Sequence, residues 1–175
     1  RHYIETVYKI TGAGKCADAL ALIHEANKFH PVRSFLDPLE WDGIPRLDTL
    51  FIDYLGAEDC EYIRQVTRKA FTAAVARIYQ PGCKFDYMAT LTGIQGIGKS
   101  TLIKKMGDPW YSDTITTVSG KEAYEALQGV WLLEMSELTA TRKADVEAVK
   151  QFISKQEDTY RMAYAKRTVS YPRQC

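Results

Sequence analysis

The sequence predicts an α/β core preceded by a small helical unit, and three observations carry that prediction. First, Gly93, Gly98, Lys99 and Ser100 have the spacing G-x-x-x-x-G-K-[ST] of a phosphate-binding P-loop. The loop lies between an apolar run at 87–91, which reads as a buried strand, and a helical start at 101–106. Second, another apolar run at 130–133 ends in Glu134 and Glu137. Third, apolar residues before position 80 recur at helical spacing and do not alternate as in a strand. Together these divide the chain into a helical unit over 1–80 and an α/β core over 81–175.

In chain order, Ala19, Leu20, Ile23 and Ala26 lie on one face of a helix over 15–29. His30-Pro31 ends it, because the residue before proline is biased away from α. Gly12, Gly14 and Lys15 imitate half a phosphate loop, but the leading glycine, the hydroxyl residue and a preceding strand are missing. Pro31, Pro38, Pro45 and the Trp41-Asp42-Gly43 turn read as a connector, with Trp41 as its packing anchor. Helical spacing returns at Leu47, Leu50, Phe51 and Tyr54, and Gly56 stops it. Asp59 is placed to cap a long helix reaching about residue 79, with Ile63, Val66, Ala70, Phe71, Ala74, Val75 and Ile78 on its core face. Arg64, Arg68, Lys69 and Arg77 lie on or near the other side, read as a solvated face, with a nucleic-acid contact as the minority reading.

Pro81-Gly82 breaks the chain before the P-loop strand. Beyond the P-loop helix, 110–118 reads as a second strand or extended segment. Ser119 and Glu122 have capping-box spacing, and Gly129 closes a short helix over 120–128. Val146, Val149, Phe152 and Ile153 mark an amphipathic helix within 142–156. Two β-prone pieces, 159–164 and 168–171, form a hairpin with Ala165-Lys166-Arg167 at its tip.

Composition narrows the function. A chain of 175 residues that is 46% hydrophobic and 26% charged can bury a real core and stay in solution. A net charge of +1 excludes a globally basic nucleic-acid binder, so any such contact must be a local patch. Cys16, Cys60, Cys83 and Cys175 form no C-x-x-C pair. They read as reduced thiols of a cytoplasmic protein, not as a disulfide frame or zinc site. No apolar run approaches the ~18 residues of a membrane span, and none of the sequence reads as a signal peptide. Beginning at Arg1 and stopping at Cys175, the sequence reads as a piece of a longer polypeptide.

The site chemistry follows from the residue types. Backbone N–H groups of Gly93, Ile94, Gln95, Gly96, Ile97 and Gly98 wrap phosphates, and the helix start at Lys99, Ser100 and Thr101 adds a favourable dipole. Lys99 reaches the β- and γ-phosphates, and the Ser100 hydroxyl holds Mg²⁺, so ATP and Mg²⁺ are the expected ligands. A carboxylate at the end of a neighbouring buried strand orders the metal, and a second polarises the attacking water. The preferred split assigns Glu134 to the metal and Glu137 to the base, with an exchange of the two roles left open. Between 142 and 175, eight Lys/Arg face four Asp/Glu. Interleaved with Tyr160, Tyr164 and Tyr171, these cations suit a contact that tracks a nucleic-acid strand. The same composition also suits an exposed hairpin with solubilising charges.

Six blocks occur in a fixed order: HPVRSFL at 30–36, WDGIPR at 41–46, PGCKFD at 81–86, the P-loop, WLLEMSEL at 131–138 and YRMAY at 160–164. Over roughly 28–175 the chain resembles the virulence-associated protein E family of phage and prophage P-loop ATPases. Those proteins are similar to superfamily 3 helicases and to the helicase part of primase–helicases. The resemblance implies an AAA+-like core in a homo-oligomeric ring, with a hexamer as one form. It also implies ATP-driven helicase work on single-stranded or forked DNA in phage or prophage replication. On this resemblance the Walker A positions run from Gly93 to Thr101, Glu134 and Glu137 are the Walker B acids, and Lys166 and Arg167 contact DNA. The family continues to a sensor asparagine and an arginine finger beyond the final Pro-Arg-Gln-Cys, so the core is C-terminally incomplete. Two alternatives follow: a nucleotide-dependent DNA-binding switch without efficient hydrolysis, and a P-loop small-molecule kinase.

Overall fold

The computed structural model describes residues 2–9, 12–115, 117–136, 143–161 and 168–175. The chain forms two compact units, Arg1–Leu39 and Glu40–Cys175. The first holds α1 (His2–Tyr8), α2 (Ala13–Ala26) and α3 (Pro31–Leu36). Pro31 opens α3 at its first position, where a missing N–H costs nothing. His30 caps that helix, its Nδ1 accepting from the Arg33 N–H at 3.3 Å.

The second unit begins with α4 (Leu50–Leu55) and α5 (Glu61–Tyr79). Gly56, at φ 65°, stops α4 in the left-handed region, as its sequence position suggests. Phe51 of α4 meets Phe71 of α5 with ring centroids 5.9 Å apart. Three details depart from expectation. Asp59 does not cap α5: Cys60 is the cap residue, and the Asp59 carboxylate instead takes the Arg64 guanidinium through two 2.8 Å bonds. Trp41 is 78% exposed, its indole N–H donating to Ile44 O within its own turn, so it anchors no core. Arg77 is buried, because the Pro81-Gly82 turn carries the chain back over the last turn of α5. Its guanidinium donates to the carbonyls of Phe85, Cys83 and Cys175.

The glycine loop leads into α6 (Lys99–Gly107), followed by β1 (Tyr111–Ser112), α7 (Lys121–Glu125) and β2 (Leu132–Leu133). Strands β1 and β2 pair in parallel, Tyr111 opposite Leu132 and Ser112 opposite Leu133. Gly107 permits α6 to lie close on this pair, since a Cβ there would come within 2.9 Å of Leu132 Cβ. The expected capping box does not form. Gly120 occupies the cap position of α7, and the Ser119 N–H turns to Thr117 Oγ1. Segment 87–91 is not in a strand. A strand exists only by hydrogen-bonding a neighbour, and among the described residues none pairs with this run.

Next come α8 (Lys143–Ser154), β3 (Glu157–Tyr160) and β4 (Val169–Pro172). The last two pair antiparallel, Tyr160 opposite Val169, in the hairpin that the β-prone pieces predict. Tyr160 is buried with its ring 5.0 Å from that of Tyr171, so it serves packing and is not free to stack on a base. Ile115, Ala123, Leu127 and Phe152 form the core of this region, with Tyr124 stacked on Phe152.

The compact units divide at residue 39, not near 80. Helix α5 is bolted to the downstream chain by the three Arg77 bonds and by the Trp131 indole N–H, which donates to Ala74 O at 3.0 Å. Among the described residues no helix is long and apolar enough to cross a membrane. All four cysteines are free thiols.

Candidate functional site

The site starts with three glycines. Gly93, Gly96 and Gly98 have φ of 147°, 86° and 97°, a range that a side chain rarely adopts. Gly98 is the cap residue of α6, so Lys99 and Ser100 occupy its first turn. The first N–H groups of a helix have no intrahelical acceptor and carry the positive end of its dipole. An anion is therefore favoured at this end of α6. Lys99 folds over the loop, its Nζ donating to the carbonyls of Gly93 and Ile94 at 3.0 Å each.

Facing this turn is Glu134, the residue after β2. Its N–H donates to Ser112 O at 2.8 Å, so the hydrogen bonding that aligns β1 with β2 also sets the position of this carboxylate. Ser100 Oγ donates to Glu134 Oε1 at 2.5 Å across 34 residues of sequence. Ser136 Oγ reaches the same oxygen at 3.3 Å. Tyr111, on β1, donates its hydroxyl to Oε2 at 2.6 Å. Burial first, then the Glu134 carboxylate beside it, push the Tyr111 phenol well above its ordinary range, so it stays a donor. Lys99, Ser100 and Glu134 are among the residues that line a cavity of about 530 Å³, together with Phe71, Met88 and Leu132.

The structure thus brings together the loop 93–98, Lys99, Ser100 and Glu134. Thr101 is one residue further into α6 and exposed. Glu137, Lys166 and Arg167 lie outside the described residues. Sequence reasoning missed Tyr111, for which no local pattern exists: its contact with Glu134 depends on the parallel register of two strands about 20 residues apart.

The donor set fits a hard cation held with phosphate. Ser100 and Glu134 offer oxygen ligands already in contact, and Mg²⁺ is held by one or two carboxylates together with substrate phosphates. Among the described residues no three His, Cys, Asp or Glu side chains converge as a cage of their own. The arrangement can therefore bind a phosphate chain at the helix start and place a carboxylate beside it.

Residues 36–175 match the family model described as virulence-associated protein E-like domain. The match begins close to the boundary between the two compact units and covers the whole of the second. No curated protein matches the chain.

Proposed function

The chain belongs to the virulence-associated protein E-like domain family, and from that premise we propose that the site binds ATP as the motor of a phage or prophage DNA helicase. The observation that carries this reading is the 2.5 Å contact of Ser100 and Glu134 at the mouth of a positive-φ glycine loop. A glycine turn with a chance lysine has no reason to place a strand-end carboxylate on the residue after that lysine.

In this reading the loop amides of 93–98 and the first turn of α6 bind the β- and γ-phosphates. Lys99 exchanges its two carbonyl acceptors, Gly93 and Ile94, for phosphate oxygens. Ser100 Oγ and Glu134 would hold Mg²⁺, which when bound would neutralise charge on the phosphate oxygens. Glu137 accepts the proton of the attacking water, with the assignment of the two acids open to exchange. Lys166 and Arg167, which fall between β3 and β4 in sequence, pair with the phosphates of single-stranded DNA in this reading. Ring assembly supplies from a neighbouring subunit the groups that complete hydrolysis.

Phosphate release from ATP by the full-length protein, with and without single-stranded DNA, tests this reading. Release that DNA stimulates is expected. Tight ATP binding without release would favour a DNA-binding switch, and release only with an added small acceptor would favour a kinase.

A further inference from the structure

We propose that Tyr111 is the positioning residue of the Glu134 carboxylate, holding Oε2 so that Oε1 is presented to the cation. The inference rests on the nucleotide-site reading above. Among the described residues three hydroxyls touch this carboxylate: Ser100 and Ser136 at Oε1, Tyr111 at Oε2. They are not equivalent. In that reading Ser100 would itself be a ligand of the cation, so its bond to Glu134 would be given up on metal binding. Ser136 is exposed and at 3.3 Å makes the longest of the three bonds.

Tyr111 differs in what holds it. It belongs to β1, paired residue for residue with β2, and the Glu134 N–H bonds to the neighbouring Ser112 carbonyl. Donor and acceptor are therefore fixed to one backbone frame. The phenol is partly buried and its ring is stiff beyond two torsions, whereas a glutamate carboxylate turns about three. A hydroxyl held at 2.6 Å on one oxygen removes most of that freedom and leaves the other oxygen directed at Ser100. Outer-shell partners of this kind orient metal ligands, and removing one typically costs about 10- to 100-fold in metal affinity.

Tyr111→Phe deletes the hydroxyl and keeps the ring. The experiment is ATP binding to the full-length protein titrated against Mg²⁺, for wild type and Tyr111→Phe, with a parallel series in EDTA. The expected result is a rise of about tenfold or more in the Mg²⁺ concentration at half-effect, with the EDTA affinity unchanged. The unchanged EDTA affinity shows that the variant is folded and the loop intact. An Mg²⁺ requirement equal to wild type overturns the proposal, as does a loss of affinity that is the same with and without metal. If wild type itself binds ATP without regard to Mg²⁺, the nucleotide-site reading fails first and takes the proposal with it.

Discussion

Lys99→Ala in the full-length protein is expected to lower DNA-stimulated ATP turnover by about 100- to 1,000-fold, the range for removing one preorganised group that stabilises transition-state charge. The physical case is local. The Lys99 ammonium sits at the first turn of α6 and donates to two loop carbonyls, which phosphate oxygens, carrying full charge, outbid as acceptors. Alanine leaves the glycine conformations and the Ser100–Glu134 contact in place but removes the Lys99 cation bonded to the loop. The fold should be little affected, since the two lost bonds are exposed. Turnover equal to wild type would rule out a role for this loop in hydrolysis.

The largest effect on stability is expected at Arg173, far from the loop in sequence. Its guanidinium meets Asp158 as a two-pronged pair, Nη2 to Oδ1 at 2.6 Å and Nε to Oδ2 at 3.0 Å, with both side chains 3% exposed. It also donates to Phe152 O and lies over the Phe152 ring. The pair ties the chain after β4 to β3 and to the end of α8. Arg173→Leu strands a carboxylate in the interior and should cost about 3–5 kcal/mol. Replacing both partners, Arg173→Leu with Asp158→Leu, should recover much of that loss, because the stranded charge is gone. Urea unfolding of wild type, single and double variants decides it. A single variant as stable as wild type, or a double variant no better than the single, contradicts the buried-charge account.

What was legible in the sequence was what local chemistry determines. Gly93, Gly98, Lys99 and Ser100 stand out because positive-φ turns need glycine and a phosphate site needs a cation and a hydroxyl at set spacing. Glu134 could be read from an apolar run that ends in an acid, and the structure puts it against Ser100. The hairpin was visible as two β-prone pieces around a polar tip. Long-range placement was not visible. Arg77 has the helical position of a surface cation; the return of the chain through Pro81-Gly82 brings the Cys83 and Phe85 carbonyls to it, and the chain after β4 adds that of Cys175. Tyr160 looked like one of a series of stacking rings, yet the pairing of β3 with β4 sets it against Tyr171 in the interior. The run at 87–91 has strand composition, but composition supplies no partner to pair with. Tyr111 is the case that matters most for the site: the contact is made by strand register, which no window of sequence contains.

The central claim is that the glycine loop, Ser100 and Glu134 form one nucleotide–metal site. Calorimetric titration of the full-length protein with ATP, in Mg²⁺ and again in EDTA, tests it most directly. The account predicts saturable binding that weakens when the metal is removed, because the cation is held jointly by the carboxylate and the phosphates. No binding, or the same affinity in both conditions, would contradict it.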